Sequence, residues 1–275
     1  MLFVNSVFAQ TNNEKTGALL WKISGNRLKQ PSYIFGTHHL YPSSLLDSIA
    51  GVKQAFFSSK QMIGEYDMAD LLVEGQKASM MPQDTTWQML LSADDYHFVD
   101  EQLIKVLGVG LQSFEMLKPS VVSAAYAMSF GQKTFPPVVD ETIDTWFQQQ
   151  AEKRGIPFVG LDTLPDLTAS FFTPLKRQAA DLVSMLRNSE SVEFYTKESY
   201  RLYRLADLKG IEMFGTSINE TRHKRWFGKL PTLMSDKPSF IVVGIGHLVG
   251  EFGLLVVLEQ LGYTVEAVVE LHDED

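Results

Sequence analysis

Cysteine is absent from all 275 residues. Its absence removes disulfides, thiolate metal sites and cysteine nucleophiles together, and leaves His, Asp and Glu as the strong ligand types. Basic charge is scarce as well: 24 Lys+Arg stand against 33 Asp+Glu, for a formal net charge of −9. The longest basic cluster, Arg222 to Arg225, is short. No Lys/Arg-dense face is available to a phosphate backbone, so a nucleic-acid partner is not expected. Long apolar runs are also missing. None approaches the ~20 residues of a membrane span, and even Ser239 to Leu258 is interrupted by His247 and Glu251. There is no Gly-x-Ser-x-Gly elbow of the kind that presents a serine nucleophile.

What is present is apolar enough to build a large core, at 45% hydrophobic residues. Residues 17–272 are expected to form a single domain. The first ten residues, Met1 to Gln10, read as the remnant of a secretory signal segment, with Val7-Phe8-Ala9 compatible with a small-residue cleavage site. Export to a periplasmic or extracellular space is the expectation, with a cytoplasmic location as the alternative.

Two strand-like runs at opposite ends of the chain close on the same punctuation. Tyr33-Ile34-Phe35 runs into Gly36-Thr37-His38-His39, and Phe240-Ile241-Val242-Val243 runs into Gly244-Ile245-Gly246-His247. With 19 Gly and 6 His in 275 residues, chance placement yields about 0.4 Gly-x-x-His spacings. A glycine there lets the backbone turn tightly, so each histidine is delivered to a sheet edge where ligands commonly bind.

The remaining pattern alternates between the two periodicities. Leu19 to Ile23 and Tyr33 to Phe35 read as strands. A helix opened by Pro42-Ser43-Ser44 runs through Leu45, Ile49, Val52 and Phe56, and Gln61 to Glu65 follows as a strand parallel to the one before. Residues 71–132 read as mostly helical, with Leu103, Val106, Leu107, Val121, Val122, Ala125 and Met128 in the core. A helix over 140–154 is stopped by Gly155, and Ile156 to Asp162 returns as a strand. Residues 163–233 are helical again, with Phe171, Phe172, Phe194, Tyr195, Tyr200 and Tyr203 as packing groups. Strand 239–243, helix 250–261 and strand 264–270 close the chain. The fold expected is α/β (mixed α+β): a central mixed sheet flanked by helices, with two strand-helix-strand units presenting the Gly-x-x-His motifs and a mostly helical middle.

Two histidines and a carboxylate make an open site for a divalent ion. Glu65 ends a strand expected to lie beside the one that delivers His39, so His39, Glu65 and His247 are the expected ligands. Asp67, at alternate spacing, is read equally as ligand, as partner to an imidazole or as a surface acid. His38 points away from His39 on extended chain. Asp162 either lines the pocket or caps the stretch from Leu164 to Ser170. Arg222 and His223, near Trp226, either form a solvated basic face or reach the pocket, where Arg222 would polarise a carbonyl or bind a substrate carboxylate. His97 and His272 read as surface residues.

The chain resembles the TraB/GumN family, which includes the Tiki metalloproteases and lies near the ChaN-like and erythromycin-esterase-like folds. The resemblance rests on Leu20-Trp21-Lys22-Ile23, Phe35 to Leu40, Glu65-Tyr66-Asp67, Leu117-Lys118-Pro119, Val139-Asp140, Gly160 to Thr163, Gly244 to Gly250 and Leu261 to Val265, in that order. It implies that His39 and His247 fill the paired Gly-x-x-His roles, that Glu65 is the family's glutamate and that Arg222 is its arginine. Three positions depart from the family pattern: Asp162 stands where glutamate is usual, His223 replaces an asparagine, and His38 replaces an apolar residue. His38 and His223 are therefore open as additions to a metal shell. The activity implied is metal-dependent hydrolysis of a peptide or amide bond with manganese, cobalt, zinc or iron, acting on a peptide or small-molecule substrate. Relatives of ChaN-like or pheromone-shutdown type imply instead a non-enzymatic haem- or peptide-binding protein. A metal-independent esterase with a histidine base is a third possibility.

Overall fold

Phe240-Ile241-Val242-Val243 is apolar at every position because its strand is buried on both faces, as the interior strand of a parallel sheet must be. It forms most of β5 (Ser239–Gly244). The other strands are β1 (Leu20–Gly25), β2 (Ser32–Thr37), β3 (Gln61–Gly64), β4 (Phe158–Gly160) and β6 (Tyr263–Ala267). In this computed structural model, which describes residues 17–67, 75–135, 137, 141–163, 173–215 and 220–269, they form one mixed sheet in the order β4-β3-β5-β2-β1-β6. The sheet is parallel from β4 to β2, while β1 pairs antiparallel with β2 and with β6.

This order corrects one expectation. β2 and β3 are parallel but are not neighbours, because β5 inserts between them and pairs with both. The C-terminal ends of β2, β3, β4 and β5 therefore line one edge, with Thr37 opposite Gly244, and Gly64 opposite both Val242 and Gly160. His39, Glu65, Asp162 and His247 all follow directly on those ends.

The helices are α1 (Val52–Ser58), α2 (Trp87–Leu90), α3 (Ala93–Leu107), α4 (Pro119–Thr134), α5 (Ile143–Arg154), α6 (Leu175–Arg187), α7 (Ser189–Arg204), α8 (Leu208–Gly215), α9 (Glu220–Asp236) and α10 (Leu254–Gln260). The expected helix after Pro42 is broken: Ser43–Ser48 is a 3-10 turn, and Gly51, at φ 69°, starts α1 afresh. α5 begins at Ile143, capped by the Thr142 side chain on the Thr145 N–H, and ends on Gly155 in the left-handed region at φ 62°.

Phe35, Phe56, Phe147 and Phe240 form the aromatic centre under α5, with ring centroids 4.9 Å apart for Phe147 and Phe240 and 5.1 Å for Phe56 and Phe147. Each such side chain, fully buried, contributes about 1.5–3 kcal/mol. Trp226, Leu230 and Met234 of α9 join the same core. A second cluster, with Trp87, Val99, Leu103, Val122, Tyr126 and Leu182, holds the helical middle together.

Three packing assignments are corrected. Met128 is 50% exposed because Tyr126 and Val122 take the inward face of α4, and Phe194 and Tyr195 are 61% and 55% exposed on α7. Phe171, Phe172, His272, Glu270, the signal-like segment 1–10 and the stretch 164–170 lie outside the described residues, while the helix expected from Asp140 starts only at Ile143, after Thr142 caps it. No helix among the described residues is long and apolar enough to cross a membrane.

Candidate functional site

Gly244 is the point on which the site is built. A Cβ placed on it would sit 3.3 Å from Glu65 Oε1, 3.6 Å from His39 Nε2 and 3.7 Å from His247 Cδ2. The three groups singled out from sequence thus face one spot at the sheet edge, and the missing side chain keeps that spot open. Gly36, the other motif glycine, also makes room: a Cβ there would meet Leu248 Cδ1 at 2.8 Å and Ile245 Cγ1 at 3.0 Å. Neither glycine serves the tight turn expected of it. Gly244 has φ −55°, and Gly36 lies inside β2. Gly36 is required by close approach, whereas at Gly244 a Cβ would crowd Glu65 Oε1 and meet His39 and His247 at ordinary contact distance.

His39 lies two residues past β2, whose end is pinned by the Tyr203 hydroxyl donating to the Gly36 carbonyl at 3.0 Å. Its ring is 58% exposed, and its Nδ1 lies 3.2 Å from Asp144 Oδ2, while Thr37 Oγ1 donates to Asp144 Oδ1 at 2.8 Å. Asp144 sits in the first turn of α5 and was not foreseen. An acid there reads as an ordinary partner of the helix dipole, and only the folded register turns it toward β2. The carboxylate accepts Nδ1–H, so Nε2 is the ring nitrogen that faces Gly244.

The hydrogen bond to Asp144 outweighs burial and raises the His39 pKa to about 9. In chelator-treated protein His39 should accordingly titrate by NMR near pH 9, and Asp144→Asn should bring the midpoint down toward the ordinary value of about 6.5. A wild-type midpoint near 6.5 would contradict the pairing. Because the folded pKa is the higher one, the ion pair's stabilisation is complete below about pH 6.5 and is lost as pH rises through about 9.

His247 is held from the other side. His223 Nδ1 lies 2.8 Å from the Phe252 carbonyl, and His223 Nε2 lies 2.7 Å from His247 Nδ1. A carbonyl only accepts, so His223 carries its proton on Nδ1. Burial keeps this imidazole neutral by lowering its pKa. His223 Nε2 then accepts from His247 Nδ1–H, which turns His247 Nε2 toward Glu65. Both nitrogens of His223 are used in this relay, so it stands behind His247 and does not add to a metal shell. His38 is outside the site as well: its ring packs 4.5 Å from Phe135 and 5.6 Å from Tyr203, and burial, then the charge of His39, lowers its pKa to about 4.

Glu65 accepts the Gly244 N–H on Oε1 at 2.7 Å and Arg222 Nη2 on Oε2 at 2.5 Å, with His247 Nε2 at 3.5 Å from Oε2. Burial would raise its pKa. The hydrogen bond to His247, the charges of His247 and Arg222 and the Gly244 N–H overcome that and hold it well below the usual carboxylate range. Asp67 lies two residues on, with its backbone N–H close to Gly160.

Arg222 reaches the pocket. α9 presents Arg222, Trp226 and Lys229 at i, i+4 and i+7, and all three address the turn after β4. Arg222 Nε and Nη2 donate to Asp162 Oδ2 at 2.9 and 2.5 Å, Trp226 Nε1 donates to Asp162 Oδ1 at 2.7 Å, and Lys229 Nζ donates to the Leu161 carbonyl at 2.6 Å. The Asp162 side chain is fully buried. It anchors the guanidinium, which lies over the Trp226 ring at 4.6 Å. Arg222 Nη1 also lies 3.2 Å from His247 Nε2.

The donor types fit a divalent ion that displaces the Nε2 protons: two imidazole Nε2 atoms and a buried carboxylate around a glycine. Charge fits too, because the three carboxylates of Glu65, Asp144 and Asp162 outnumber the two cations, the Arg222 guanidinium and the His39 imidazolium, by one. The present geometry is not a closed ligand set. Among the described residues no three His, Asp or Glu side chains are grouped so as to hold a metal ion, and Arg222 occupies two of the three donors. A cavity of about 20 Å³, room for one water-sized group, lies beside them, lined by Tyr66 and Gln148 as well as His39, Glu65 and Asp144. Tyr66 went unremarked in the sequence because a tyrosine after a strand reads as packing. Burial, then the charges of Glu65 and Asp144, push its pKa up to about 12, so it stays a neutral donor.

No curated protein and no solved structure matches the chain. A family model does, over residues 19–267, which spans every strand of the sheet and both Gly-x-x-His motifs. The chain belongs to the TraB/PrgY/gumN family.

Proposed function

We propose that the chain is a metal-dependent hydrolase of peptide or amide bonds, with His39, Glu65 and His247 as the ligands of a divalent ion such as manganese, cobalt, zinc or iron. The observation that carries this reading is the convergence over Gly244 of two imidazoles, each held at Nδ1 so that Nε2 is turned inward, with a buried carboxylate. When bound, the ion would supply an acidified water and polarise the scissile carbonyl. Glu65, held far toward its ionised form, suits the role of ligand better than that of general base. Arg222 must release Glu65 Oε2 and His247 Nε2 to admit the ion. Its bonds to Asp162 would keep it in place, leaving a positive charge beside the site for an oxyanion.

Cleavage of a peptide panel by purified protein, with and without chelator, tests the proposal. Chelator-sensitive cleavage is expected; no cleavage of any peptide in the presence of added manganese, cobalt or zinc would count against it. One observation favours a second reading. The exposed His39 paired with Asp144 has the form of a metal-independent general base once its ring is deprotonated, which would give ester hydrolysis insensitive to chelation, rising as pH passes about 9, and abolished by His39→Ala.

A further inference from the structure

His39 borders two spaces. The polar cavity on the Glu65 side holds about 20 Å³, too little for a substrate residue. His39 also lines a mainly apolar groove of about 420 Å³, together with Leu40, Met128, Gly131 and Phe135. That volume falls in the range of sites that take a ligand side chain or a small molecule.

The groove is built for occupancy by residues with no part in the polar site. Met128, Gly131 and Phe135 recur at i, i+3 and i+7 along α4 and its C-terminal end, so they share one face. Phe135 is a rigid floor, 5% exposed, with its ring 5.1 Å from Tyr41 and 5.0 Å from Tyr200. Gly131 lets Leu40 lie against the helix, since a Cβ there would fall 2.3 Å from Leu40 Cδ1. Met128, half exposed, forms a flexible apolar wall. Because His39 lines both spaces, a substrate held at the polar site has this groove next to it.

We propose that this groove is the specificity subsite of the reaction: it seats a large apolar side chain, Leu, Met or Phe in kind, of the residue adjoining the bond to be cut. The inference rests on the peptidase reading for its substrate class, but its test does not depend on cleavage. Fluorescein-labelled peptides identical except at one position, carrying Leu, Met, Phe, Gly, Asp or Lys there, are titrated by anisotropy into the wild-type protein, Met128→Glu and Met89→Glu. Met89 is a control methionine on α2, 61% exposed. Wild type and Met89→Glu should bind the apolar peptides roughly 10- to 100-fold more tightly than Gly or Asp. Met128→Glu should lose that preference and gain for Lys, with metal content unchanged. Equal affinities in the wild type, no binding of any probe, or a preference that survives Met128→Glu would overturn the subsite. The same peptides incubated with manganese separate the two readings. An apolar preference in binding with no peptide cut keeps the groove and removes the hydrolase. Cleavage indifferent to the varied residue keeps the hydrolase and removes the groove.

Discussion

Asp162→Ala should cost the fold about 3–5 kcal/mol, the loss expected when one partner of a buried ion pair is removed and the other charge is stranded. The wild-type carboxylate is fully buried and takes three donors: Arg222 Nε, Arg222 Nη2 and Trp226 Nε1. Alanine leaves the indole N–H of a wholly buried tryptophan without an acceptor and leaves the guanidinium with Glu65 alone as its carboxylate partner among these groups. Urea unfolding of the two proteins measures the difference. Asp162→Asn should lie between them, since an amide oxygen can still accept from Trp226 but the charge is gone. A loss below about 1 kcal/mol for Asp162→Ala, the size of an exposed ion pair, would show that Arg222 is not anchored through Asp162.

If the chain is the hydrolase proposed above, Glu65→Gln should lower cleavage almost as far as Glu65→Ala, by about 10²- to 10⁴-fold, although it preserves size. Both carboxylate oxygens face donors: the Gly244 N–H on one side and Arg222 Nη2 on the other. A glutamine has one oxygen and one NH2, so one of its two ends must oppose a donor with a donor. The side chain then turns from Gly244, and the negative charge of the proposed ligand is lost as well. Cleavage rates of the three proteins at matched metal concentration check this. Near wild-type activity in Glu65→Gln would mean that neither the charge nor the double acceptance matters, and Glu65 would cease to be a ligand.

The strand ends were readable because each apolar run stops at a glycine, and those stops place His39, Glu65, Asp162 and His247 on one edge. The strand order was not readable. Local pattern shows that β2 and β3 run parallel, but not that β5, close to 180 residues further along the chain, pairs with both. Side chains that act through other side chains were hidden for a related reason. Asp144 looks like any acid in a first helical turn, and Arg222-His223 looks like a basic face, because periodicity marks which side of a helix is polar and not what covers it. Met128 and the pair Phe194 and Tyr195 show the converse: apolar residues at helical spacing that the fold leaves in solvent. The glycines were found for the wrong cause. Their spacing was visible, whereas the atoms they make room for, Leu248 beside Gly36 and His39 beside Gly244, belong to other strands and turns.

The central claim is that imidazoles 39 and 247 share one divalent ion with carboxylate 65. Elemental analysis of purified wild-type protein beside His39→Ala and His247→Ala, each equilibrated with manganese, cobalt or zinc and then desalted, tests it most directly. The account predicts close to one ion per wild-type chain and little or none in either variant. Equal occupancy in all three, or none in the wild type, would contradict it.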